Sequence, residues 1–349
     1  MEPLRIGVVG AGAIGQHNAL KAVESGSAKV VAVFDTNQKV CRDLARKLSS
    51  RGSTSYDALL EMPEVEAVLL SVPHHLHRDL SIQAASKGKH VLLEKPIANT
   101  PREAEDIIEA CRVAGVTLTV NFSFRYLPRI RLARKLVQQG ALGAITGVQV
   151  IAHSYREKGY WLGARSSSPD DWRQSKEKAG AGFLFMNLCH TIDYTYFVTG
   201  LKANRVYCEY DTLGSPTEVE DSVGITCRFD NGAIGTFVGS TVRRGPNQEE
   251  ERIWGAQGSL WMNAEGLFLY STRPIEGKQP GKVHRWSRFP SCNWTGEWIQ
   301  AAASAIREGR EPEISGRDGW ENLAFIATAL DSMDKQQALH VPTRFAEGR

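Results

Sequence analysis

Three sets of residues have the types and spacings that chemistry requires. The first is Gly10-Ala11-Gly12-Ala13-Ile14-Gly15, a GxGxxG. Such a pattern has meaning only where it follows a strand and opens a helix, and the apolar run Leu4–Val9 and the helical pattern Ile14–Ser25 supply that setting. Gly10 permits a tight turn, Gly12 lets the backbone approach a pyrophosphate, and Gly15 lets helix and strand pack closely. Ala13 and Ile14 begin a helix whose N–H groups and positive end suit phosphates. Asp35, twenty residues beyond Gly15, closes the next apolar run, where a carboxylate binds adenosine ribose hydroxyls. That carboxylate repels a 2′-phosphate, and Thr36-Asn37 supply no arginine to offset it, so NAD is expected rather than NADP. The second set is Lys95, just after the apolar run Val91–Leu93. At the carboxyl end of a parallel strand, its ammonium can hydrogen-bond a reacting hydroxyl and stabilise alkoxide character. The third is His190, on the apolar segment Phe183–Val198, whose imidazole titrates near neutrality and can take a hydroxyl proton. A lone histidine on an apolar helix also reads as a satisfied core residue.

These residues need elements to hold them. Leu4–Val9, Val30–Phe34, Ala67–Val72, Val91–Leu93 and Val116–Asn121 are strand-length and continuously apolar, as suits a parallel sheet covered on both faces. Between them lie the helical patterns Ile14–Ser25, Leu76–Lys87 and Pro101–Ala114, the last opened by a Thr100…Glu103 capping box with Pro101 at its first position. Alternating strand and helix predicts an α/β, doubly wound Rossmann domain over residues 1–123. Residues 124–349 read differently. One helix, Pro128–Gln139, is followed beyond Gly200 by strand-like stretches at Asn204–Tyr210, Ser222–Phe229, Ala233–Thr241, Ser259–Met262 and Gly266–Tyr270. Asp230-Asn231-Gly232 is a hairpin signal, and the succession predicts an antiparallel sheet. Trp298–Arg307 and Trp320–Met333 are the closing helices.

Two further motifs resemble the Gfo/Idh/MocA family, the relatives of glucose-fructose oxidoreductase and inositol dehydrogenase. Glu94-Lys95-Pro96 is similar to its EKP signature, and Gly180-Ala181-Gly182 … His190-Thr191-Ile192-Asp193 is similar to its GGG … HxxD segment. Ser71-Val72-Pro73 … His77, Arg125, Trp172-Arg173 and Ser315-Gly316-Arg317-Asp318-Gly319 also match, so the resemblance spans nearly the whole chain. It implies a second α/β domain with a large, open, mainly antiparallel sheet, an active site between the domains, and a homodimer or homotetramer formed through the sheet face. It implies hydride transfer between NAD(P) and a carbinol carbon of a sugar, sugar derivative or cyclic polyol. Glu94 would face the nicotinamide ribose, and Ser71, Pro73, His74, His77 and Asn121 would lie by the cofactor. Lys95, Arg125, Tyr155, Trp172, Asn187, His190 and Asp193 would line the substrate. The chain departs from the family where an Asp usually precedes the catalytic histidine by one turn. Met186 stands there and can neither orient nor polarise an imidazole, which leaves Asn187 at i−3 and Asp193 at i+3 as orienters.

Other signals point to fewer functions. His74-His75-Leu76-His77 has the ligands of a metal site, but adjacent residues on a βα loop rarely converge on one ion, and no metal is expected. Arg125, Arg129, Arg131, Arg134 and Lys135 read either as a solvated face or, at Arg125, as a fork for an anionic substrate group. Tyr155, Arg156, Tyr160, Trp161 and Trp172 suit sugar stacking or core packing equally. A net charge of +3 with interleaved signs excludes nucleic acid as a main partner, and no apolar run approaches the ~20 residues that span a bilayer. The six scattered cysteines read as free thiols, which with an N-terminus unlike a signal peptide predicts a cytoplasmic protein. Two other functions use the same parts: a glycoside hydrolase that oxidises the ring transiently and recycles NAD, and a non-catalytic NAD-binding regulator.

Overall fold

The computed structural model describes residues 2–162 and 172–343. Its chain forms two compact units. The first comprises Met1–Ser123, Lys158–Gly180 and Asn293–Leu323, and the second Phe124–Glu157, Ala181–Cys292 and Ala324–Arg349. The break after Ser123 falls where the residue pattern changes. Two later segments, placed in a second domain by the sequence pattern, return to the first unit. Polar bonds explain one return: Trp298 donates to the Thr119 hydroxyl at 2.9 Å, and Thr119 donates to the Ile314 carbonyl at 2.6 Å, all in the core.

The first unit holds a six-stranded parallel sheet: β1 (Leu4–Val9), β2 (Ala28–Phe34), β3 (Arg51–Gly52), β4 (Ala67–Leu70), β5 (His90–Leu93) and β6 (Leu118–Val120), in the order β3-β2-β1-β4-β5-β6. β4 and β6 are buried throughout, as strands covered on both faces must be, which is why their sequences lack alternation. Helices Ala13–Glu24, His77–Ser86 and Pro101–Ala114 follow β1, β4 and β5, and the last carries the expected capping box and ends at Gly115 with φ 65°. The strand order reverses between β1 and β4, so the loops after them flank the crevice where doubly wound sheets bind ligands. A helix at Gln38–Lys47, capped by Asn37, adds to those the sequence pattern predicts.

The second unit is built on a nine-stranded, mostly antiparallel sheet. Its strands are β7 (Ile145–His153), β8 (Ala203–Asp211), β9 (Ser222–Phe229), β10 (Ile234–Ser240), β11 (Gln248–Gly255), β12 (Gly258–Asn263), β13 (Gly266–Ser271), β14 (Val283–Trp286) and β15 (Leu339–His340). Their order is β14-β13-β12-β11-β7-β10-β9-β8-β15, with β7 and β10 parallel. The Asp230–Gly232 hairpin forms, with Gly232 at φ 88°. Central strands β7 and β11 are absent from the sequence-based expectation. β11 begins Gln-Glu-Glu-Glu and reads as a charged surface, although Glu251 and Ile253 point inward. On the other face Ile234 and Val238 are 49% and 37% exposed. Across that face Arg252 lies over Trp261 (5.3 Å), Trp261 stacks on Phe268 (5.1 Å), and Arg285 lies over Phe268 (5.3 Å). No helix among the described residues is long and apolar enough to cross a membrane.

Candidate active site

In the first unit β1 runs directly into the glycine loop. Gly10 has φ 87°, and a Cβ there would meet the Ser71 carbonyl. A Cβ at Gly15 would meet the Gly10 carbonyl, so the helix Ala13–Glu24 starts hard against the strand. Gly12 caps that helix in an extended conformation without a side-chain acceptor, and the first turn carries no acidic residue. Its N–H groups and positive potential therefore remain for an anion. Asp35 braces the loop: its Oδ2 accepts from the Ala11 N–H at 2.7 Å and its Oδ1 from the Asn37 N–H at 2.8 Å. The carboxylate is thus oriented at the rim of the glycine turn, and the groups present fit a dinucleotide.

Beside this cradle Glu94 is a buried hub. Its Oε1 accepts from the amides of Asn18 (2.7 Å) and Asn121 (2.6 Å), and its Oε2 from the Lys95 N–H (3.2 Å). Asn18 also reaches the Ser71 hydroxyl at 3.3 Å, so the first helix and the ends of β4, β5 and β6 are tied together at one point. Half-buried Lys95 stands on this hub at the carboxyl end of β5.

The histidine loop is structural in its bonding. Pro73 precedes a 3-10 turn at His74–Leu76. The His77 nitrogens lie 2.8 Å from the Pro96 carbonyl and 3.1 Å from the Val72 carbonyl. Burial pushes His77 down to about 4, so near neutrality it donates to only one of them. His74 is also pushed well below the usual imidazole range, by burial first and then by its neighbours His77 and Lys95. Its Nδ1 bonds the Ala179 carbonyl at 2.9 Å, and its ring meets Trp172 edge-on at 4.4 Å. Trp172, expected at the substrate, therefore sits in the first unit against an expected cofactor residue, with Arg173 over its ring at 4.6 Å.

In the second unit the segment bearing His190 is helical but not uniformly α. Leu184–Leu188 is a π-helix, and Cys189–Thr199 continues as an α-helix. The wider π-turn changes which residues share a face, so an i−3 relation between Asn187 and His190 no longer follows from α-helical spacing. Asn187 lies within this turn, and its Oδ1 is buried without a hydrogen-bond partner. Met186 is buried. The His190 ring stacks on Phe124 at 4.4 Å and 20°.

Asp193 and Arg125 are joined to each other. Arg125 donates through Nε to Oδ2 (2.8 Å) and through Nη2 to Oδ1 (2.6 Å), with both side chains at most 5% exposed. This two-point bond holds the Ser123–Tyr126 turn to the helix after His190. Both Asp193 oxygens accept from Arg125, so the Arg125 fork already holds a carboxylate. Tyr155 bridges to Val242 beneath Arg244 (4.5 Å). Deeper in, Glu251 accepts from the Thr195 hydroxyl at 2.8 Å, and burial pushes its carboxyl up to about 7.

Comparison with known proteins agrees with this architecture. Residues 4–122 match the model of an oxidoreductase family with an NAD-binding Rossmann fold, GFO/IDH/MocA, and residues 130–261 match that family's C-terminal domain. The chain belongs to the GFO/IDH/MocA family. It is an oxidoreductase on an NAD-binding fold. A levoglucosan dehydrogenase of Pseudarthrobacter phenanthrenivorans is 29% identical over 76% of this chain and 75% of its own. A 1,5-anhydro-D-fructose reductase of Ensifer adhaerens is 26% identical over 97% and 99%. An oxidoreductase domain protein from Kribbella flavida superposes with a TM-score of 0.87 at 27% identity, covering 98% of this chain and 100% of that one.

Among family features, the altered glycine triplet has a physical reading. Gly180 has φ 76°, and a Cβ at Gly182 would collide with the Glu220 carbonyl, whereas Ala181 is buried with its methyl accommodated. Sequence reasoning missed Asn18, Phe124 and Glu220. The one available signal was for Asn18, an amide on the face of the first helix that must meet the sheet.

Proposed function

We propose that this chain uses NAD, in preference to NADP, to move a hydride to or from a carbinol carbon of a sugar, anhydro-sugar or cyclic polyol. The observation that carries this reading is Lys95, standing on the Glu94 hub at the carboxyl end of β5, in the sheet whose glycine loop fits the cofactor. The names of the two relatives, both sugar oxidoreductases, supply the substrate class. Gly10, Gly12, Ala13, Ile14 and Gly15 hold the pyrophosphate, and Asp35 the adenosine ribose. Ser71, Pro73, His74, His77, Glu94 and Asn121 shape the nicotinamide end. When bound, the nicotinamide accepts or returns the hydride. Lys95 hydrogen-bonds the reacting oxygen and stabilises its alkoxide character. His190, its ring plane fixed by Phe124, takes the hydroxyl proton in oxidation and gives it back in reduction. The chain works as a homo-oligomer joined through the exposed face of the nine-stranded sheet.

Lys95→Ala and His190→Ala should each lower kcat by roughly 10²–10⁴. The Kd for NAD should stay within about threefold, because neither side chain holds the adenosine or the pyrophosphate. Near wild-type turnover in His190→Ala would assign that histidine a packing role.

A further inference from the structure

One carboxylate governs the start of the helix that bears His190. Glu220, at the entry to β9, is 4% exposed. Its Oε2 accepts from the Gly182 N–H at 2.8 Å, its Oε1 from the Leu184 N–H at 2.9 Å, and its main-chain oxygen from the Phe183 N–H at 2.9 Å. Three successive donors that a helix start leaves without internal partners thus end on one residue. A negative charge at that end also suits the helix dipole. Gly182 is required for the approach, since any Cβ there would collide with the Glu220 carbonyl.

The clamp is itself anchored. The next residue, Asp221, is fully buried and accepts from the N–H groups of Leu213 (3.0 Å), Gly214 (2.8 Å) and Ser215 (2.7 Å) and from the Ser222 hydroxyl (2.9 Å). Its carbonyl takes the Thr241 N–H at 2.9 Å, which fixes the Glu220 backbone to the sheet. Downstream, Arg125 holds Asp193. His190 lies between these two fixed points, and the π-turn Leu184–Leu188 takes up the helical register between the clamp and the imidazole.

We propose that Glu220 is a positioning residue for His190: by binding the Gly182 and Leu184 N–H groups it fixes the helix from which the imidazole acts. This rests on the reading of His190 as the proton-transfer group. Glutamine can replace one accepting oxygen but turns an amide NH₂ toward the other N–H, so Glu220→Gln retains half of the side-chain clamp and Glu220→Ala only the main-chain bond to Phe183.

The test compares full-length Glu220→Gln and Glu220→Ala by kinetics and by NMR of histidine-labelled protein, with the His190 imidazole signal assigned by its loss in His190→Ala. Turnover should fall about tenfold in Glu220→Gln and about a hundredfold in Glu220→Ala, as slight misplacement of a reacting group does, with the Kd for NAD unchanged. The His190 signal should be displaced in both, while that of His284 on β14 stays in place. If Glu220→Ala does not fold, Glu220→Gln carries the comparison alone. A His190 signal and kcat unchanged from wild type in Glu220→Gln overturn the proposal. If instead His190→Ala retains full turnover, the proton-transfer reading fails, and displacement of the imidazole signal alone decides whether Glu220 positions it.

Discussion

At the scale of single residues, cofactor choice rests on Asp35. Its oxygens are oriented by the Ala11 and Asn37 N–H groups, so the carboxylate cannot swing away from the loop without stranding two donors. A 2′-phosphate placed beside it meets a fixed negative charge, and the cap of the following helix is Asn37 rather than an arginine. NAD should therefore bind at least about tenfold more tightly than NADP, about 1.4 kcal/mol. Asp35→Ala should narrow that gap chiefly by improving NADP binding. Calorimetric titration of both nucleotides checks this, and equal or tighter NADP binding by the wild type would sink the assignment. Residues of this kind are legible in the sequence alone. A glycine turn, a carboxylate ending β2 and a lysine ending β5 follow from strand-then-helix patterning, because each lies at a fixed offset from an apolar run. Glu94 is legible only by resemblance, and its pairing with Asn18 is not legible at all, because nothing local links an amide in the first helix to a carboxylate seventy-six positions later.

At the scale of elements, the helix Cys189–Thr199 and the turn Ser123–Tyr126 are joined by the buried Arg125–Asp193 pair. Breaking such a pair from one side leaves an uncompensated charge, so Asp193→Ala should destabilise the protein by about 3–5 kcal/mol. Arg125→Met with Asp193→Leu should cost less than the sum of the single changes. Denaturant titration measures both. A loss under about 1 kcal/mol for Asp193→Ala would show that the pair does not hold the helix. The pairing is invisible to local spacing. Asp193 lies at i+3 from His190, whereas Arg125, which it bonds at two points, is sixty-eight residues away. The π-turn is equally hidden: Leu184–Leu188 has the composition of any buried helix, and the extra residue in its turn has no compositional mark. Strand β11 is masked by Gln248-Glu249-Glu250-Glu251, where the inward carboxyl of Glu251 accepts from Thr195 and Tyr194 and burial pushes it up to about 7.

At the scale of the whole molecule, the parallel sheet is nearly complete in the sequence, because every strand except the two-residue edge strand β3 is a bounded apolar run. The division of the chain is less so, since the return of Lys158–Gly180 and Asn293–Leu323 depends on long-range bonds such as that of Trp298 to Thr119. The nine-stranded sheet leaves Ile234 and Val238 exposed on a central strand, beside the stacked row of Arg252, Trp261, Phe268 and Arg285. An apolar and cationic–aromatic face of this kind suits a second copy of the chain. Ile234→Arg with Val238→Arg should reduce the sedimenting mass to that of one chain, and an unchanged mass would place any contact elsewhere. Hydride transfer from a carbinol carbon to NAD is tested most directly by following an isotope. Levoglucosan, inositols, uronates and aryl glycosides, each deuterated at the ring carbinol positions, are incubated with the enzyme and NAD, and the nicotinamide is analysed by mass spectrometry. One of these should deliver a single deuterium to the nicotinamide, and Lys95→Ala and His190→Ala should slow that delivery by at least about a hundredfold. Substrate turned over with no deuterium ever reaching the nicotinamide would contradict the account.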